Sequence, residues 1–300
     1  MTAAAVIPVL ESWAGRGQVH RYFVCDVFTS RPLAGNQLGV FIDGRAFSTD
    51  EMQRLARELN YAETVFLLPP ENGGDVRMRI FTPSPPELQF AGHPVLGTAF
   101  VVGEALGSEA VALETGLGVI RVELERDSGR IVFGRMSQPI PAWEPFGSER
   151  QLLAALGADT STLPIEFYRI GPGHVFVGFA SGEEVAALRP DMGLLAELGV
   201  AANCFAAEGS RVRTRMFYPA GGIPEDPATG SAAGPLAVHL ARHGRIAFGQ
   251  QITVRQGEEI GRPSLLYATA RGQSPDRIES VEVGGAAMIV ASGQFRIAVD

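Results

Sequence analysis

The chain has 300 residues, 46% hydrophobic and 19% charged, which suits a globular protein with room for two cores of about 100–200 residues each. Its formal charge of −8, with no long basic run, makes it poorly suited to nucleic acid or to an anionic membrane surface. All 25 basic residues are arginine, which excludes a pyridoxal Schiff base and a lysine-bearing phosphate loop. From the N-terminus, residues 1–19 read as a loose tail. MTAAAVIPVLESWAG has no basic lead, and Pro8 and Glu11 break its apolar run, so no signal peptide is expected. No stretch approaches the roughly 18 apolar residues of a membrane span, and the expected compartment is the cytoplasm.

Arg21–Val27 reads as a strand, followed by the turn-rich TSRPLAGNQ and a second strand, Leu38–Ile42. Ser48–Asn60 has the clearest helical period, with Met52, Leu55, Ala56 and Leu59 on one face and Thr49 or Asp50 as the expected cap. Strands are expected at Thr64–Leu68 and Val76–Phe81, then a meander over Val111–Thr115, Val119–Glu125 and Arg130–Phe133. Beyond it come a helix near 150–157, strands at 165–169 and 174–179, helices at 182–188 and 191–198, and strands at 202–206 and 211–217. Four strands, near 251–255, 265–271, 278–284 and 287–297, end the chain. QGEEIGRPS, at 256–264, reads as a strand-joining turn.

Two segments read as copies of one unit. Arg79, Phe81 and Pro83 match Arg215, Phe217 and Pro219 at an offset of 136, and Gly92 matches Gly230 at 138. Each copy is a strand, a Pro/Gly-rich loop and a glycine-led apolar segment. PVLGTAFVV after Gly92-His93 and AAGPLAV after Gly230-Ser231 have almost no polar face, and a helix apolar all round must be buried on all sides. The simplest solution wraps a curved sheet around each helix, giving two pseudo-symmetric α/β lobes that face each other across a cleft.

Helix N-termini carry unpaired N–H groups and the positive end of the dipole, so two of them converging make a site for a carboxylate. That assigns ligand-binding places to Gly92, His93, Gly230 and Ser231, unless Ser231 or Thr229 merely caps its own helix. Glu63, between apolar neighbours at a strand start, is either buried with a raised pKa, fit for acid–base work, or a solvent-facing edge residue. His93 is either functional or structural. Asp226, in the loop before the second helix, is either a site carboxylate or a dipole-complementing cap, and its first-copy counterpart region, at Glu87, reads as structural. Asn36 either hydrogen-bonds a ligand or holds a turn. Cys25 and Cys204 form no CxxC pair, so no zinc ribbon, iron–sulfur cluster or disulfide framework is expected.

PLAGNQLGVF (32–41), YAETVFLL (61–68), FAGHPVLG (90–97) and EDPATGSAAGPLAVHL (225–240), with connecting segments such as MSQPIPAWEPF and PIEFYRIGPGHVFVGF, resemble the PhzF-type phenazine-biosynthesis isomerases of the diaminopimelate-epimerase-like superfamily. The resemblance covers about residues 20–295. It implies the two-lobed fold, with lobes at 20–135 (closed by the C-terminal strand) and 136–300, a homodimer, and no cofactor or metal. It also implies isomerisation of trans-2,3-dihydro-3-hydroxyanthranilate, in which a proton leaves C3 and appears at C1. In that reading Glu63 carries the proton, His93 and Asp226 share the catalytic work, and Asn36, Gly92, Gly230 and Ser231 bind substrate. The chain departs from the family pattern at Ala62, where a serine is expected, and at Pro227, where an alanine is expected. The superfamily's two-cysteine racemases are disfavoured, because their thiol positions here are Ala91 and Thr229. An isomerase or epimerase of another small carboxylic acid, or a non-catalytic small-acid binder, stays open.

Overall fold

A computed structural model describes residues 18–171 and 173–297, and the expected tail falls, up to residue 17, outside this range. Among these residues seventeen strands join edge to edge in one ribbon that curls around two buried helices. The first lobe contains β1 (Val19–Val27), β2 (Asn36–Phe41), β3 (Glu63–Leu68), β4 (Val76–Phe81), β5 (Ala110–Thr115), β6 (Gly118–Asp127) and β7 (Arg130–Gln138), with helices α1 (Thr49–Leu59) and α2 (Gly92–Leu106). Its strands pair in the order β7-β6-β5-β4-β3-β2-β1, with β2–β3 and β4–β5 parallel.

The second lobe runs β8 (Ala142–Pro145), α3 (Glu149–Leu156), β9 (Glu166–Arg169), β10 (Gly173–Gly178), α4 (Gly182–Ala187), α5 (Met192–Leu198), β11 (Ala201–Glu208), β12 (Arg211–Tyr218), β13 (Ile223–Asp226), α6 (Gly230–Arg242), β14 (Gln251–Gln256), β15 (Ser264–Ser274) and β16 (Arg277–Gly285). Here β10–β11 and β12–β14 are the parallel pairs. The last strand, β17 (Ala287–Arg296), returns to the first lobe and pairs antiparallel with β1. The lobes meet through β16 and β7, from Val281 opposite Gln138 to Gly285 opposite Gly134.

Residues Gly92 to Val101 of α2 and Gly230 to Ala241 of α6 are all buried, as their composition requires. Leu38 and Val27 press so close to α2 that only a glycine fits at Gly97, where a Cβ would lie 2.7 Å from each side chain. Helix α1 begins as expected but is capped by Ser48, not by Thr49 or Asp50. The Ser48 hydroxyl accepts from the Glu51 N–H, and the Glu51 carboxylate accepts from the Ser48 N–H at 2.7 Å. The Thr49 hydroxyl is turned instead to the Arg79 guanidinium, 3.1 Å away. The short strands β8 and β13, four residues each and both containing proline, carry too little strand signal to be read from sequence.

The repeat is physical as well as sequential. Arg79 clasps Glu87 and lies 5.1 Å over the Phe81 ring, and Arg215 clasps Glu225 and lies 4.8 Å over the Phe217 ring. Each clasp pins the loop that leads into the buried helix. Glu225 is thus the structural counterpart of Glu87, and its neighbour Asp226 is the residue turned inward.

The far end of α6 is held by a second tie. One oxygen of buried Glu166 on β9 takes hydrogen bonds from the Tyr168 hydroxyl and Arg242, both at 2.8 Å, with His239 Nδ1 at 3.2 Å and His243 Nε2 at 3.1 Å. Burial works to raise the Glu166 pKa, but the hydrogen bonds from His239, His243 and Tyr168 and the Arg242 charge outweigh it and hold the carboxyl well below the usual range. Glu166→Gln strands Arg242 without its counter-ion and is expected to cost about 3 kcal/mol in urea unfolding at neutral pH. A depressed folded pKa stabilises above the unfolded value and is lost as pH falls toward the folded one, so this gap narrows below pH 4.5. A gap independent of pH contradicts this account.

Candidate active site

The N-terminal tips of α2 and α6 meet head to head between the lobes. A Cβ on Gly92 would lie 2.6 Å from the Gly230 carbonyl carbon and 2.7 Å from the Ser231 nitrogen. The close approach of backbone to backbone requires glycine at 92, while a Cβ on Gly230 would meet the Phe28 ring at 2.8 Å. Neither tip has a side-chain cap. The Thr229 hydroxyl goes instead to Asp226, at 2.6 Å, and the Ser231 hydroxyl lies 3.0 Å from His174 Nε2, so neither residue caps its own helix. The first N–H groups of both helices therefore keep no intrahelical or capping partner, and both dipoles point at one place.

The tips open into a cavity of about 410 Å³. Glu63, His93, Asp226, Gly92, Gly230 and Ser231 all line it, together with His174 and an apolar wall that includes Leu88, Met216, Tyr218 and Ile223. Asn36 is not on this wall. It is 1% exposed, and its side-chain amide donates to Asp226 Oδ1 at 2.8 Å and to the Ala228 carbonyl at 2.9 Å. It therefore ties the second lobe's loop to the first lobe from behind the site. Gln256 supports the same loop, donating to the Asp226 carbonyl and to the Thr229 hydroxyl at 2.8 and 2.9 Å. Arg262, in the turn that follows, reaches across to the Gly35 and Ala34 carbonyls and to Asp26. QGEEIGRPS joins strands as expected, and it also cross-links the lobes.

Burial lifts the Glu63 carboxyl well above the usual range, and the negative charge of Asp226 lifts it further. Burial pushes His93 down to about 3, against a hydrogen bond to the Gln37 carbonyl. Its Nε2 stands 3.1 Å from Glu63 Oε2 and makes no aligned hydrogen bond, so the bond to Gln37 uses Nδ1 and assigns the ring proton there. Asp226 is pushed up to about 6 by burial, although the Thr229 and Asn36 hydrogen bonds favour its charge. Burial thus disfavours the charged forms of both groups, and sets a carboxyl of raised proton affinity beside a neutral imidazole. A carboxyl of raised proton affinity is a strong base when ionised and a ready acid when protonated, so one side chain suits both halves of a proton transfer.

The sequence places Cys25 and Cys204 in strands, and both are buried with pKa values raised by burial, so they add no nucleophile to the cleft. The one group of metal-ligand type among the described residues is Glu166, His239 and His243, with ligand atoms within 4.8 Å of one another. Arg242 already puts its positive charge on the shared oxygen, and His239 lies nine residues along α6 from Gly230, about 13 Å away. That donor set does not serve the cleft. Among the described residues no helix is long and apolar enough to cross a membrane.

Residues 25–293 match a family model described as phenazine biosynthesis-like protein, PhzC-PhzF. A trans-2,3-dihydro-3-hydroxyanthranilate isomerase from Pseudomonas chlororaphis is 53% identical over 268 residues, 89% of this chain and 96% of that protein. Among solved structures, a PhzF-family phenazine biosynthesis protein of Bacillus anthracis has a TM-score of 0.82 at 24% identity, covering 93% of this chain and all of that one. A hydroxyproline epimerase from Agrobacterium vitis has a TM-score of 0.65 at 14% identity, covering 93% of this chain and 92% of that one. The last two likenesses are of fold, the two-lobed epimerase-like architecture.

Proposed function

The chain belongs to the PhzC-PhzF family of phenazine biosynthesis-like proteins, and from that premise we propose that it is the isomerase that converts trans-2,3-dihydro-3-hydroxyanthranilate to its aminoketone tautomer. The observation that carries the reading is a buried acid of raised proton affinity, Glu63, in the same cavity as two uncapped helix tips. The tips hold the substrate carboxylate through the N–H groups of Gly92, His93, Gly230 and Ser231. Ionised Glu63 takes the proton from C3, breaking that C–H bond. The double bonds shift, and the same carboxyl delivers its proton to C1, after which the enol settles as a ketone. Proton and electron count balance within one molecule, so no external oxidant or reductant takes part.

Asp226 keeps the Glu63 proton affinity high by charge repulsion. His93 Nε2, 3.1 Å from Glu63 Oε2, keeps a neutral imidazole beside the carboxyl. Asn36 holds Asp226 in place. The same reading has the chain working as a homodimer in the cytoplasm, with neither cofactor nor metal.

Incubating the purified protein with the dihydro acid is expected to bleach its diene absorbance and to yield tricyclic condensation products. With substrate deuterated at C3, part of the label is expected at C1 in ordinary water. Absence of turnover removes the proposed activity, and complete washout of label removes the intramolecular transfer.

A further inference from the structure

His174 and Asn203 are buried polar residues on neighbouring parallel strands, β10 and β11, 2% and 3% exposed. The Asn203 side-chain nitrogen lies 3.1 Å from the Ala201 carbonyl and 3.3 Å from His174 Nδ1. A carbonyl only accepts, so the group facing it is the NH2, which fixes the amide's orientation. The amide's second hydrogen then goes to Nδ1. A ring nitrogen that accepts is unprotonated in a neutral imidazole, so the ring proton sits on Nε2. Burial pushes the His174 pKa down to about 4, which keeps the ring neutral. Nε2 stands 3.0 Å from the Ser231 Oγ and donates to it. The hydroxyl, its acceptor side taken by His174 and its helix left uncapped, has its own hydrogen free for the cleft it lines.

The first lobe shows that the fold does not require these polar groups. Phe81 and Phe217 are equivalent in the repeat, and they pair with Thr64 and Ala202. The strand register then matches Val65 with Asn203, Glu63 with Ala201, and Leu38 with His174. Leu38 and Val65 are both fully buried. Where one lobe packs two aliphatic side chains under its helix, the other places an amide and an imidazole, at the cost of desolvating both. The place they reach is the tip of α6.

We propose that His174 and Asn203 are positioning residues that fix the Ser231 hydroxyl as a hydrogen-bond donor toward the anionic end of the bound ligand. The inference rests on the carboxylate-binding reading above for its ligand, and on the geometry alone for its tautomer. A contact made equally in ground and transition states changes KM and leaves kcat alone.

The test has two arms. In ligand-free wild-type protein carrying 15N-histidine, long-range NMR is expected to show His174 neutral with its proton on Nε2. A proton on Nδ1 overturns the proposal whatever the enzyme's substrate. In the second arm, His174→Leu with Asn203→Val copies the first lobe and is expected to keep the wild-type Tm. The Kd for 3-hydroxyanthranilate, a stable ring carboxylate, and the KM for the dihydro acid should each rise about tenfold or more, as for loss of a hydrogen bond to a charged group, with kcat unchanged. Ser231→Ala should do the same, and adding it to the double variant should cost little more. Wild-type affinity in the double variant, or additive losses, overturns the relay. Wild-type protein that neither binds nor converts these compounds sinks the activity reading, and the tautomer measurement still decides the relay.

Discussion

Glu63→Gln is expected to lower turnover by about 10³-fold or more while leaving the Tm and the affinity for 3-hydroxyanthranilate close to wild type. Positioned acid–base groups contribute roughly 10²–10⁴-fold, and here one group serves both steps. The substitution is gentle on the fold, because burial and the Asp226 charge already disfavour the charged carboxylate. A neutral amide of the same shape removes a charge that the site is ill suited to hold and adds no volume. The decisive comparison is between kcat and Kd measured on one preparation. Turnover within a few-fold of wild type excludes Glu63 as the proton carrier. A parallel collapse of Kd and Tm assigns it to structure instead.

Gly92→Ala is expected to act through distance. The new methyl would sit 2.6–2.8 Å from the Gly230 and Ser231 backbone, which has no rotamer with which to yield. The helix tips must separate, at about 3 kcal/mol for overpacking of this kind. A displacement of about 1 Å at a catalytic constellation costs roughly 10²-fold, so kcat/KM should fall by about that factor even where the variant folds. Gly147→Ala is the matched control, since a methyl there meets nothing within 4 Å. If Gly92→Ala matches that control in thermal melts and in kcat/KM, the two tips do not act as one anion site.

Periodicity and composition exposed the parts of the structure that are local. The all-apolar run after Gly92 and its copy after Gly230 announced buried central helices, and Met52, Leu55 and Ala56 marked the packed face of α1. The candidate site was legible where a chemical type stood out against its neighbours: Glu63 among apolar residues, His93 and Ser231 at glycine-led helix starts, Asp226 in the acidic pair before the second helix. What stayed hidden was what depends on contact between distant parts of the chain. His174 reaches Ser231, Gln256 holds the 226–229 loop and Arg262 grips Gly35, yet no spacing rule links any of these pairs. The polar residue at His174 gave a signal only once strand register revealed that its twin in the other lobe is Leu38. The Ser48 cap was missed because three adjacent residues, Ser48, Thr49 and Asp50, all suit the position. The competing guanidinium of Arg79 draws off the Thr49 hydroxyl.

The same register sets Ala201, a bare methyl, at the place that mirrors Glu63. With one side chain carrying the proton both ways, the proposed transfer is suprafacial: hydrogen leaves and re-enters through the same face, and the handedness of the new centre is dictated by the side of the cleft on which Glu63 stands.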